Sequence, residues 1–362
     1  MVKGEYMINK KALIAMSGGV DSAVAALLIK NMGYSAEGIT MQLFDGDNVL
    51  PDGTPKVLDD NSIQAKKTAE LLSIPHFSVS LGESFSHCVI SPFVEDYKNG
   101  KTPNPCVQCN KHIKFGKLID IANEKNFDYL VTGHYAKIEN DGNGSFLLKK
   151  ATDEKKDQTY FLWSLDSKIL KKILLPLGNY TKEEIKSIAK DNHFESADRS
   201  ESQDICFIPD GDYVEFLKKS GHSQFALGNF IDINGNILGK HEGIEKYTVG
   251  QRKGLGISLG KPMFVARKNP KDNSVILCSD AELYQKELQA TSINLLVNDS
   301  LEKSTRLSAK IRYRHTAAPA TVIRTDEDRV SVIFDEPQRA ITPGQSVVFY
   351  DGDIVIGGGI IE

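Results

Sequence analysis

The sequence predicts an α/β domain with a doubly wound parallel sheet, followed by a small, mainly β central domain and a C-terminal β-barrel. Three observations predict it. Strand-like and helix-like segments alternate through the first two hundred residues, glycine turns crowd residues 225–277, and runs after about Leu288 alternate with a period of two. The expected boundaries are 1–210, 211–285 and 286–362, and 362 residues are too many for one typical core.

The apolar run Ala12-Leu13-Ile14-Ala15-Met16 reads as a buried strand, and the Ala- and Leu-rich residues 23–32 as the helix that follows. Residues 36–43 are a second strand, 63–72 a helix, 76–79 a third strand, 111–124 a helix and 127–131 a fourth strand. Thr181-Lys182-Glu183-Glu184 announces another helix, with Thr181 as N-cap and Glu184 as its capping-box partner. Residues 211–219 form a short helix ahead of the glycine-rich module, which includes Val249-Gly250-Gln251-Arg252-Lys253-Gly254-Leu255-Gly256. In the barrel region a period of two puts Lys310, Arg312 and Arg314 on one strand face; that face suits a polyanion and suits a solvated surface equally.

Composition narrows the function. The chain has the apolar and charged fractions of a soluble globular protein, no apolar run near the roughly 20 residues of a membrane span, and no signal-peptide pattern, so a cytosolic protein is expected. Five cysteines, Cys88, Cys106, Cys109, Cys206 and Cys278, are an odd number and argue for reactive or metal-binding thiols over a disulfide scaffold. A net charge of −4 gives no general affinity for nucleic acid, so a polyanion would be held by local basic patches.

The most informative stretch is Ser17-Gly18-Gly19-Val20-Asp21-Ser22, a glycine turn between a strand and a helix N-terminus. Unpaired backbone N–H groups and the positive end of the helix dipole make such a turn an anion site. It lacks the Gly-Lys-Ser/Thr ending of a Walker loop and is similar to the pyrophosphate loop of enzymes that split ATP into AMP and pyrophosphate. Because ligands of open α/β sheets collect at the carboxyl ends of strands, Ser17, Met41 and Gly133 are expected to border one nucleotide pocket.

The second signal is Thr102-Pro103-Asn104-Pro105-Cys106-Val107-Gln108-Cys109, followed by Asn110-Lys111-His112-Ile113-Lys114-Phe115. Two prolines stiffen the approach, and Cys109 falls beside a helix start where the dipole and lysines favour thiolate. From Lys98 through Lys117 there are five lysines and no acid, a candidate phosphate contact. A Cys-x-x-Cys pair alone is shared by zinc and redox sites, and Cys206 stands apart from it.

These segments, with Gly133-His134-Tyr135, Lys156-Asp157-Gln158, residues 201–209, Val249 to Gly256, Arg312-Tyr313-Arg314 and Pro343-Gly344-Gln345, resemble the bacterial tRNA-specific 2-thiouridylase family along nearly the whole chain. The resemblance implies an N-type ATP-pyrophosphatase domain, a central domain and a β-barrel. It implies that ATP, with Mg²⁺, is held by Ala15, Met16, Ser17, Gly18, Gly19, Val20, Asp21, Ser22, Met41 and Gly133. Asn104, Pro105 and Cys106 would border the target base, and His134, Lys156, Asp157, Gln158, Arg312, Tyr313 and Gln345 would touch tRNA, with lysine, glutamate and glutamine acceptors expected. Asp21 would serve the adenylation step. Cys206 would take sulfur from a carrier protein as a persulfide, and Cys109 would attack it.

The chain departs from that family's commoner pattern, which has Asp, a candidate general base, three residues before the first catalytic cysteine; here the position is Cys106. Cys106, Cys109 and Cys206 are also a ligand set for a [4Fe–4S] cluster, which stands as the alternative sulfur route. Cys88 and Cys278 match no motif and read as buried or incidental thiols. Two rival functions are a small-molecule ligase using the same loop, and a non-enzymatic tRNA-binding module, which would leave residues 17–22 without a purpose.

Overall fold

The computed structural model describes residues 10–43, 60–198, 205–222, 225–297, 301 and 304–362. Two units divide the chain, and the division is interleaved. The first comprises Met1–Cys88, Cys106–Gln203 and Asp353–Val355; the second comprises Val89–Pro105, Asp204–Gly352 and Ile356–Glu362.

The first unit is built on a parallel five-stranded sheet. Its strands run in the spatial order His76–Ser80, Ser35–Gln42, Lys11–Ala15, Tyr129–Val131, Ile173–Leu174. Helices cover both faces, which is why the central strand is apolar without alternation: Ala12, Leu13 and Ile14 are fully buried. Helix Val20–Asn31 buries Ala23, Val24, Ala25, Ala26 and Ile29, sharing a core with Ile185 and Ala189 of helix Lys182–Asp191. Small residues on that helix permit close packing against its neighbours. The strand order reverses direction between Lys11–Ala15 and Tyr129–Val131, so the switch point of the sheet lies where residues 16–22 and 132–135 leave it.

In the second unit the strands Phe264–Asn269, Ser274–Cys278, Gly228–Ile231 and Ile237–His241 form a four-stranded sheet over Phe230, Val265, Val275 and Leu277. Among the described residues, six strands from Tyr284–Leu295 to Ile354–Ile361 form a barrel, closed by the pairing of Ala290 with Ile361. Helix Ser91–Lys98, which the sequence interposes between strands of the first sheet, packs in this unit. Its Phe93 meets Phe207 and Phe216, and Tyr97 stacks on Tyr213 at 4.8 Å.

Two expectations are corrected. Strand Thr305–Lys310 stops at Lys310 and residues 312–315 bend and turn, so Lys310, Arg312 and Arg314 do not share a strand face. The cause is the Arg312 guanidinium, which turns to the carbonyls of Val249 and Ala340 and to the Thr342 hydroxyl. The helix expected over 111–124 starts earlier, as the wide i→i+5 turns of Cys109–Lys117, and becomes α-helical only over Leu118–Glu124. Among the described residues no helix is long and apolar enough to cross a membrane.

Candidate active site

At the switch point the chain leaves strand Lys11–Ala15 through Met16, whose carbonyl accepts a 2.8 Å hydrogen bond from Thr40 and whose N–H donates to Ile39. Gly18 then takes φ +77°, and a Cβ there would lie 2.3 Å from the Asn61 carbonyl oxygen, so glycine is required twice over. Gly19 is the N-cap of helix Val20–Asn31 and offers no side-chain cap to its first N–H groups. Ser22 shapes the loop from inside: its hydroxyl donates to Gly19 O at 2.9 Å and accepts from Ser17 N at 3.2 Å. Across the switch, a Cβ on Gly133 would stand 3.0 Å from the Ser22 nitrogen, so only glycine lets the second strand's exit approach the helix end. Register brings Met41 to the same edge: Ala15 pairs with Ile39, two residues short of both Ser17 and Met41.

Asp21, in the first helical turn, is held by two residues that sequence reasoning did not assign to the site. Tyr135 donates its hydroxyl to Asp21 Oδ1 at 2.7 Å, and the Lys182 ammonium lies 2.7 Å from the same oxygen. Lys182 is nearly buried, while Asp21 keeps 32% of its side chain exposed. The sequence did carry a signal for Lys182. A cation at the first position of a helix opposes the dipole, and this helix is otherwise capped as its sequence predicts, Thr181 accepting from Glu184 N and Glu184 from Thr181 N. Such a lysine requires an anion nearby, and its effect is to add positive charge beside the uncapped loop.

The thiols occupy distinct settings. Cys106 is exposed on the short helix Pro105–Gln108, and Cys109 is buried at the start of the wide helix. Cys206 is exposed on a turn of the second unit; residues 201–204 of its motif lie outside the described residues. Cys88 is half-buried, and burial pushes the Cys278 thiol up to about 11, which makes it inert. Among the described residues no three His, Cys, Asp or Glu side chains gather to hold a metal ion; Cys106 and Cys109 belong to the first unit and Cys206 to the second.

The expected tRNA contacts fall into two groups. Several also make contacts within the fold. His134 is buried, shares a 2.8 Å hydrogen bond with Thr132 and lies against the Phe115 ring; burial holds its imidazole well below the usual range, hence neutral. Asp157 accepts from Ala151 N and from the Thr159 hydroxyl, Gln158 accepts from Tyr135 N, and Gln345 donates to the carbonyls of Thr102 and Pro103. Basic groups remain on the second unit. Burial and then the nearby Arg312, Lys310 and Arg339 lower His315, and the guanidiniums of Arg252 and Arg339 both lie over the Phe264 ring.

Residues 10–210 match the family described as tRNA methyl transferase HUP domain, 214–279 its PRC-barrel domain, and 285–361 the aminomethyltransferase β-barrel domain. A tRNA-specific 2-thiouridylase MnmA of Clostridioides difficile is 48% identical over 98% of this chain and 99% of its own length. Those of Acetivibrio thermocellus and Carboxydothermus hydrogenoformans are 46% and 44% identical, each over 98% of this chain. An uncapped glycine loop at the switch point, paired thiols at a helix start and near-complete coverage by these relatives agree, and the chain belongs to the tRNA-specific 2-thiouridylase family.

Proposed function

We propose that the protein uses ATP to replace the C2 oxygen of the tRNA wobble uridine with sulfur, giving 2-thiouridine, AMP and pyrophosphate. The observation that carries this reading is the uncapped end of helix Val20–Asn31 beside Lys182, a ready receptor for a polyphosphate. Uracil O2 is a poor leaving group. Its attack on the α-phosphorus forms an O–P bond and breaks the bond to the departing pyrophosphate, after which sulfur adds at C2 and AMP leaves. Loop N–H groups and Lys182 bear on charge as it builds on pyrophosphate. The Asp21 carboxylate and the Ser17 hydroxyl are hard oxygen donors that fit Mg²⁺, which when bound would neutralise phosphate charge.

For sulfur delivery the exposed Cys206 accepts a persulfide from a carrier protein, its exposure supporting access. The Cys109 thiolate attacks the Cys206 Sγ, forming a disulfide and releasing hydrosulfide; hydrosulfide adds to the activated C2. Two electrons from a thiol reductant then restore both cysteines. Arg252, Arg314 and Lys156 supply positive charge for tRNA backbone phosphates, and lysine, glutamate and glutamine acceptors are the substrates proposed. Pyrophosphate release measured with and without tRNA, together with nucleoside analysis of the product, tests the reading. Stimulation by tRNA and 2-thiouridine in the digest support it; cleavage of ATP indifferent to tRNA favours the small-molecule ligase.

A further inference from the structure

Residues 101–104, which precede the thiol pair, are braced by the barrel. Thr102 N donates to Pro343 O at 2.9 Å, and Gln345 Nε2 donates to Thr102 O at 2.8 Å and to Pro103 O at 3.3 Å. Gly344, at φ +90°, lies so close that a Cβ there would stand 2.9 Å from Lys101 Cβ and 3.0 Å from Thr102 N and O. The turn that makes these contacts is itself fixed, since Gly344 N donates to Ile361 O and Ile361 N to Gln345 O. From the far side Lys268 reaches Lys101 O at 3.4 Å. Every one of these residues belongs to the second unit.

Donor arithmetic gives the arrangement its meaning. Pro103 and Pro105 have no N–H, so this stretch has few means of bracing itself. An amide nitrogen carries two hydrogens, and Gln345 Nε2 has two acceptors in the loop, the carbonyls of Thr102 and Pro103.

We propose that Gln345 is a positioning residue: its amide ties the Thr102-Pro103 backbone to the barrel turn and so sets where Asn104 meets the target base. This rests on the tRNA-uridine reading above. The barrel then does more than hold tRNA, because the surface that binds the substrate also carries the loop that faces its reacting base.

Gln345→Met keeps the side-chain length and removes both donors. Hydrogen exchange of a peptide covering 101–104 should quicken at least several-fold while barrel-strand peptides keep wild-type rates. With saturating ATP and tRNA, the single-turnover rate of pyrophosphate release should fall about tenfold to hundredfold, with tRNA Kd and its salt slope within twofold of wild type. Gly344→Ala, which pushes the loop away sterically, should reproduce both effects. Unchanged exchange at 101–104 overturns the proposal whatever the enzyme does. A raised Kd with an unchanged saturating rate also overturns it and makes Gln345 a direct tRNA contact. Absence of tRNA-dependent turnover in the wild type would instead sink the functional reading, leaving the exchange result to judge the brace.

Discussion

The Lys182 ammonium lies 2.7 Å from Asp21 Oδ1 across 161 residues of sequence, and the Tyr135 hydroxyl meets the same oxygen. Lys182 also stands 5.6 Å from the Tyr135 ring centroid. A nearly buried cation, a carboxylate open on one side and an uncapped helix end thus converge at the sheet's switch point. Polyphosphate entering there would meet a positive charge already desolvated and held in place, which strengthens its field.

Lys182→Met should therefore lower tRNA-dependent pyrophosphate release about a hundredfold, with tRNA Kd within twofold of wild type. The stability loss should be about 1–3 kcal/mol, less than for a wholly buried pair because water still reaches Asp21. Denaturant unfolding and a pyrophosphate assay measure the two effects separately. Wild-type turnover in the variant would remove Lys182 from the site. Asp21→Ala and Ser17→Ala should likewise lose turnover while binding tRNA.

A different outcome is expected at Arg312. Its guanidinium serves two backbone carbonyls and the Thr342 hydroxyl, so Arg312→Ala should cost about 2–4 kcal/mol of stability in the second unit. Arg314, exposed on the following turn, should carry the electrostatic effect: Arg314→Ala makes the salt dependence of tRNA binding shallower by about one counterion. A shallower slope in Arg312→Ala with unchanged stability would restore Arg312 as a phosphate contact.

What the sequence made legible was local. The glycine loop, the Thr181–Glu184 capping box and the order of strands and helices each depend on residues within a few positions of one another. What escaped it was set by tertiary contacts. Asp21 and Lys182 meet only because helix Val20–Asn31 packs on Lys182–Asp191. Alternation at 309–314 described a strand that stops when Arg312 finds buried carbonyls, a stronger demand than the period of two. Helix Ser91–Lys98 joins the second unit through aromatic contacts no spacing reveals.

Lys268 gives a pH dependence with a defined sign. Its ammonium, beside the Tyr97 ring and Lys101 O, is lowered by burial to about 8 despite Glu245, which is itself 2.8 Å from His222. Below pH 8 both folded and unfolded chains hold the proton, and burial of the charge opposes folding. Between about 8 and the ordinary 10.5 the unfolded chain binds more protons, so stability rises with pH. Tyr97 and Tyr213 are raised by burial, and their contribution cancels in a comparison with Lys268→Met. Relative to that variant, the wild type should gain about 2 kcal/mol between pH 7 and 9.5 in denaturant unfolding. A constant difference would mean that Lys268 is solvated.

The thiols decide the sulfur chemistry. Cys106 and Cys206 are exposed and Cys109 is buried at a helix start, and the persulfide route proposed above uses Cys206 as sulfur acceptor and Cys109 as nucleophile. On that route the variants separate by step. Cys109→Ala and Cys206→Ala should lose 2-thiouridine formation yet still release pyrophosphate with tRNA, because adenylation precedes sulfur transfer. Cys106→Asp should retain activity, since a carboxylate is a competent base there and no metal ligand is lost. Protein purified in air and free of iron should be fully active with a thiol reductant and a persulfide donor. If instead Cys106→Asp is inactive and loses iron and visible absorption that an active, anaerobically prepared wild type retains, sulfur travels on a cluster and the persulfide scheme falls.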